Sequence, residues 1–188
     1  MTKSIVITAL LAAVAGILAF IPNHHSTDNH RVQDVTTPVG VEIRWMSWDE
    51  AVKANAKEPR KLFIDFYTDW CGWCKRMDAT TFQDPKVVAY MNKHFYAVKF
   101  DAEQREDVQF MGTTFKWREG GRNGVHMLAY ELLNGRLGYP SYVYLTPKYE
   151  RILISPGYKE AVALQKEMLF VAEDHYNSTS WEDFQRGE

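Results

Sequence analysis

Cysteine is nearly absent. The 188-residue chain has two, Cys71 and Cys74. A structural zinc site takes about four N or S ligands, and there is no second cysteine pair to complete one. The six histidines (His24, His25, His30, His94, His126 and His175) show no His-x-x-x-His spacing, so no metal is expected. An excess of charge of either sign is also lacking, with 22 Lys and Arg against 24 Asp and Glu. The net charge is −2 and no basic stripe stands out, which argues against a nucleic-acid partner or electrostatic binding to an anionic membrane. No cysteine follows the N-terminal apolar run, which excludes a bacterial lipoprotein anchor. Disorder is excluded by a hydrophobic fraction of 46%, enough for a packed core.

What the chain does have is the stretch Trp70-Cys71-Gly72-Trp73-Cys74-Lys75. The apolar run Lys61-Leu62-Phe63-Ile64-Asp65-Phe66-Tyr67 precedes it and suits a buried strand. Arg76 to Phe82 continues it as a helix, with good helix formers at Lys75 and Met77. Cys71 therefore falls at a strand-to-helix junction and Cys74 one turn in. Unpaired N–H groups and the positive end of the helix dipole lower the pKa of a thiol at a helix start. The thiolate is the species that attacks disulfides. A Cys-x-x-Cys pair in this setting reads as a redox site. A purely structural staple is the alternative, although so short a loop constrains the unfolded chain little.

Asp65 is the odd member of its strand. In an apolar run its carboxyl is desolvated, which raises its pKa; the alternative is an Asp at a strand edge facing water. Trp70 and Trp73 flank the sulfurs. Trp73, in the middle of the Cys-x-x-Cys turn, is expected to be partly exposed. Trp70 either joins it in an apolar platform for substrate or packs on the motif helix. His126 and His175 have no catalytic company and read as surface or satisfied histidines.

The run Asp65 to Lys75 resembles the active-site strand and helix of thioredoxins. Phe82-Gln83-Asp84-Pro85-Lys86-Val87 and Val98-Lys99-Phe100-Asp101-Ala102-Glu103 are similar to exported thioredoxin-like proteins and to the C-terminal domain of thiol:disulfide interchange proteins. Gly138-Tyr139-Pro140-Ser141-Tyr142-Val143 resembles the segment carrying the family's cis-proline. The likeness covers roughly Trp45 to His175. It implies an α/β thioredoxin-like fold, a central mixed β-sheet flanked by helices. It implies a catalytic set of Cys71, Cys74, Asp65 and Lys99, with Lys99 paired to the buried acid. It also implies a substrate-binding rim of Trp70, Gly72, Trp73, Tyr139 and Pro140, the Tyr139–Pro140 bond being cis. Two departures stand out. Gly72-Trp73 replaces the usual Gly-Pro, and the stretch from Gln109 to Leu137 is longer than the plain fold requires.

Residues 5–21 form an uncharged apolar run after a single Lys3. This reads as a cleaved export signal, with Ala13-Val14-Ala15 as the small residues, or as a membrane anchor of slightly under the roughly 20 residues that span a bilayer. Residues 22–44 read as a polar linker and 45–188 as the thioredoxin-like domain. Ser47 and Glu50 form a capping box for a helix to about Ala56 that ends near Pro59. Further helices are expected at Cys71 onward, Pro85 to Lys93, Glu103 to Met111, His126 to Leu133 and Lys159 to Tyr176. Strands are expected at Leu62 to Tyr67, His94 to Phe100, Ser141 to Thr146 and Arg151 to Ser155, the last two a hairpin. Gly120 to Gly124 is a loop. The segment Phe115 to Gly124 mixes aromatics, base and glycine, either a plain surface loop or a substrate or partner contact.

The expected function is an exported, periplasmic or otherwise extracytoplasmic thiol–disulfide oxidoreductase, soluble or tethered through residues 5–21. It needs no bound cofactor. Its partners are disulfide-containing protein substrates and an electron-donor redox protein, and the reducing direction is favoured. The alternative is a non-catalytic binding or chaperone-like module whose disulfide is only structural.

Overall fold

The computed structural model describes residues 42–187. The expected signal or anchor at 5–21 and nearly all of the linker lie outside the described residues. Among the described residues, no helix is long and apolar enough to cross a membrane.

In chain order the elements are β1 (Trp45–Met46), α1 (Trp48–Lys57), β2 (Lys61–Tyr67), α2 (Gly72–Ala79), α3 (Pro85–His94) and β3 (Phe95–Asp101). Then come β4 (Val108–Phe110), β5 (Thr113–Phe115), β6 (Trp117–Arg118), β7 (Val125–His126), α4 (Met127–Leu132), β8 (Ser141–Leu145) and β9 (Arg151–Pro156). The chain closes with α5 (Ala161–Ala172) and α6 (Trp181–Arg186). Five strands form the main sheet in the order β1-β3-β2-β8-β9. β1, β3 and β2 run parallel, while β8 and β9 are antiparallel to their neighbours. The fold is α/β and thioredoxin-like, a mixed sheet with helices against it.

Local chemistry sets the helix ends. Ser47 N–H donates to Glu50 Oε2 at 2.8 Å and Glu50 N–H to Ser47 Oγ at 3.3 Å, the capping box that starts α1. Asp84 Oδ1 accepts from the Lys86 and Val87 amides ahead of α3, whose first residue is Pro85. Alternation along β2 divides the interior in two. Phe63 joins Met77, Phe82, Val87, Tyr142 and Met168 on one side of the sheet. Leu62, Ile64 and Phe66 join Val98, Phe100 and Leu128 on the other. A central strand covered on both faces is apolar at nearly every position, which makes Asp65 conspicuous.

Several elements differ from expectation. Glu103 to Met111 is not helical: Val108–Phe110 is a strand that pairs with Thr113–Phe115. Its burial alternates, with Val108 inside and Gln109 out, a period of two rather than 3.6. His94 ends α3 rather than opening β3. The last long helix stops at Ala172, where Asp174 takes a left-handed conformation (φ 61°), and a separate α6 follows. The two-residue β1 was not expected. Packing also begins ahead of Trp45: Ile43 is 5% exposed within the core, and Asn92 Oδ1 accepts from the Arg44 amide at 2.8 Å.

Candidate active site

Cys71 is the N-cap of α2, and its Sγ accepts from the Cys74 amide at 3.1 Å. The two sulfurs are joined in a disulfide. Both cysteines are buried, at 4% and 3% exposed, so exposure does not tell them apart. What distinguishes Cys71 is its position at the helix start, where an amide points at its sulfur and favours the thiolate. Gly72, the first residue of α2, is exposed, and a Cβ there would meet no atom within 4 Å.

Residues three and four apart share a face of a helix. Cys74, Met77 and Asp78 are therefore on one side of α2, and the buried Cys74 and Met77 face the sheet. Met77 packs in the same cluster as Phe63 of β2, so α2 covers the face of β2 that carries Phe63 and Asp65. Asp65 is 1% exposed and pairs in register with Lys99 of β3 and Tyr142 of β8. The strand-edge alternative is thus removed. Its Oδ2 accepts from Lys99 Nζ at 2.7 Å, while Oδ1 is buried with no partner among the described residues. Burial pushes its carboxyl up to about 6, against the pull of the neighbouring Lys99.

Lys99 Nζ also bonds to Asp78 Oδ1. Burial pulls the Lys99 pKa down, but the two carboxylates outweigh it and hold the ammonium above its ordinary value. The Trp45, Tyr67 and Phe82 rings lie within 4.9 to 5.2 Å of Nζ. Asp78 was missed in the sequence. The only signal was its spacing four residues after Cys74, which places both on the sheet-facing side of α2.

The Tyr139–Pro140 bond is cis. Pro140 is buried, and its carbonyl accepts from the Gly157 amide at 2.8 Å. Neither the N–H nor the C=O of Tyr139 takes part in a backbone hydrogen bond among the described residues. The Tyr139 ring meets Trp70 edge to face at 6.2 Å. Trp70 is exposed, and its Nε1 donates to Glu103 Oε1 at 2.9 Å. Trp73 is 58% exposed and sits 5.4 Å from the Tyr158 ring, with the Arg76 guanidinium near both. His126 is fully buried and satisfied, capping α4 through Nδ1 and meeting the Glu106 carbonyl at 3.0 Å. Among the described residues no group of side chains could hold a metal ion.

The family model Thioredox_DsbH, described as a protein of unknown function, DUF255, matches residues 24–180. Human spermatogenesis-associated protein 20 is 26% identical over 133 residues, 69% of this chain and 15% of that protein. The thiol:disulfide interchange protein DsbD of Vibrio vulnificus (strain CMCP6) is 30% identical over 107 residues, 54% of this chain and 18% of that protein. The chain thus spans less than a fifth of the length of either relative. Among solved structures, a thioredoxin from Thermus thermophilus superposes with a TM-score of 0.52 at 19% identity, over 69% of this chain and 87% of its own. A thioredoxin-fold protein from Helicobacter pylori gives 0.54 at 14% identity, over 80% and 91%. These structural likenesses establish the fold.

Proposed function

The chain belongs to the thioredoxin-like Thioredox_DsbH (DUF255) family, and on that footing we propose that it is a thiol–disulfide oxidoreductase acting on protein disulfides in the reducing direction. The observation that carries the reading is the Cys71–Cys74 disulfide at the start of α2, above a buried acid pushed up to about 6. In the reduced protein the Cys71 thiolate attacks a substrate disulfide. The substrate S–S bond breaks, a bond from Cys71 Sγ to one substrate sulfur forms, and the other substrate sulfur leaves as a thiolate and is protonated. Cys74 then gives its proton to Asp65 and attacks Cys71 Sγ. The mixed disulfide breaks, the second substrate thiol is released, and the Cys71–Cys74 disulfide forms. Two electrons have passed to the substrate, and a dithiol donor protein restores them by the same exchange.

Lys99 holds Asp65 in place and steadies its anion. Trp70, Trp73 and Tyr139 frame the approach to the sulfurs, and the unbonded Tyr139 backbone suits an extended substrate segment. Gly72 adds no side chain to that approach. The reducing direction is supported by Asp65, because an acceptor for the Cys74 proton speeds the step that frees reduced substrate. The apolar run at 5–21 supports action outside the cytosol, as a cleaved signal or a tether.

The test is substrate trapping in cells with Cys74→Ser, alongside limiting iodoacetamide on the reduced protein. Cys71 should be alkylated first, and Cys74→Ser should accumulate disulfide-linked partners that Cys71→Ser does not. Preferential labelling of Cys74, or no linked partners, would overturn the reading. If exposed Trp70 and Trp73 bind unfolded protein while both cysteines are unreactive, the chain is instead a binding module.

A further inference from the structure

The stretch between β3 and β8 builds a wall beside the disulfide. β6 and β7 pair antiparallel, Trp117 opposite His126 and Arg118 opposite Val125. The base of this hairpin is fastened by the His126 amide to the Ala102 carbonyl at 2.8 Å. Its tip is fastened by one carboxylate: Glu103 accepts from Asn123 Nδ2 at 3.0 Å on one oxygen and from Trp70 Nε1 at 2.9 Å on the other. Gly124 has φ 79°, and a Cβ there would stand 2.3 Å from the Trp117 ring and 2.6 Å from the Arg118 carbonyl. The tip is therefore closely packed and aimed at the residue preceding Cys71.

Between the tip and the Tyr139 segment lies a cleft of about 340 Å³. Trp70, Val125, Tyr130, Leu137 and Tyr139 give it a mainly apolar lining, which Glu103 and Arg122, the latter 5.2 Å from the Trp70 ring, complete. Trp70 precedes Cys71 and Tyr139 precedes Pro140 in the chain, so two of the lining residues directly adjoin the disulfide and the cis-proline in sequence. At Leu137 and Gly138 it meets a second cleft, which runs past Ser141 to Ile154 and Pro156.

We propose that this cleft is a specificity subsite for an apolar side chain, aliphatic or aromatic, on the substrate residue next to the cysteine that is attacked. The inference rests on the oxidoreductase reading above. A substrate sulfur bonded to Cys71 brings its neighbouring residue over Trp70 and Tyr139. The lining offers that residue apolar surface, and Glu103 already has both oxygens engaged. Glu103 and Asn123 are positioning residues: they hold the wall and do not touch the reacting sulfurs.

The experiment compares synthetic peptides linked through a central cysteine to a small thiol and differing only in the residue beside it: Leu, Phe, Gly, Glu or Lys. Each is reduced by the full chain, with glutathione disulfide as a probe that lacks the flanking apolar residue. The Leu and Phe peptides should exceed the Gly peptide about tenfold or more in kcat/KM, and the Glu and Lys peptides should gain nothing. Leu137→Glu puts a charge in the cleft at a residue already 43% exposed and outside any helix or strand, so the fold should survive. It should reduce the Leu-to-Gly ratio to about twofold or less. Asn123→Ala, which unfastens the tip and adds nothing to the cleft, should lower the same ratio. The ratio within each variant is the readout, because a general loss of reactivity does not move it. Equal rates for all peptides in the parent chain would overturn the subsite and leave the oxidoreductase reading intact. An unchanged ratio in Leu137→Glu would do the same. Failure to reduce any peptide or glutathione disulfide would overturn both.

Discussion

Asp65 is the residue on which stability and chemistry make opposite demands. Its ordinary pKa is 3.8, and in the fold it is pushed up to about 6 by burial. The raised value means that folding favours the protonated acid. The stabilisation is full below 3.8 and is lost as pH rises through about 6. The gap corresponds to roughly 3 kcal/mol. Asp65→Asn, neutral at every pH, should therefore be more stable than the parent by roughly that amount above pH 6, with the advantage fading towards pH 4. Urea unfolding across that range measures it, and a pH-independent difference would refute the assignment. The same variant should slow resolution of the mixed disulfide while leaving the first attack nearly intact. The neighbours move Asp65 in opposite directions: Lys99 lowers its pKa and Asp78 raises it. Asp78→Asn should shift the Asp65 titration below about 6 and Lys99→Met should shift it above. Carboxyl NMR titration of the two variants checks both signs, and two shifts of the same sign would show that the three groups do not act as one cluster.

At the scale of elements, legibility followed local chemistry. The capping box at Ser47, the Pro85 start and the β8–β9 hairpin were readable because each is dictated by residues within a few positions. So was the junction that sets Cys71 at a helix start. The β4–β5 hairpin was not, because its turn is Met111-Gly112 rather than a familiar Asn-Gly or Asp-Gly pair. Both turn residues have positive φ, 48° and 76°, as a tight two-residue hairpin loop demands. A methionine there resists the left-handed conformation by about 1–2 kcal/mol relative to glycine, and asparagine resists it less. Met111 is 75% exposed, so its side chain has little packing to lose. Met111→Asn should raise stability by up to about 1 kcal/mol, read as an increase of a few degrees in the thermal midpoint. An unchanged or lower midpoint would show that the turn is not strained at this position. The wall at β6–β7 was hidden for a different reason. Two-residue strands carry no periodicity, and the Glu103 contacts that hold the tip span 20 and 33 positions in the chain.

For the whole molecule, the question is where the packed unit begins. The thioredoxin resemblance, which covers roughly Trp45 to His175, put the domain edge at Trp45, and Glu42-Ile43-Arg44 has no motif that would extend it. Tertiary contacts place the edge earlier. Ile43 is buried in the cluster that holds Phe63 and Met77, and the Asn92 side chain bridges the Glu42 carbonyl and the Arg44 amide. β1 then lays the Trp45 ring against Phe82 at 5.0 Å and beneath the Lys99 ammonium at 4.9 Å. The short edge strand therefore supports both the core and the charged cluster under α2. Ile43→Ala should cost about 2–4 kcal/mol from lost burial and the cavity it leaves. The contact with Lys99 belongs to Trp45, so Ile43→Ala should leave the Asp65 titration near 6. A chain beginning at Ser47 loses Ile43 and Trp45 together. It should be less stable than Ile43→Ala, and where it still folds its Asp65 titration should move, because Lys99 has lost one of its aromatic neighbours. Urea unfolding and carboxyl titration of the two proteins separate these effects. Equal stability of the Ser47-start chain and the parent would show that residues 43–46 lie on the domain without belonging to it.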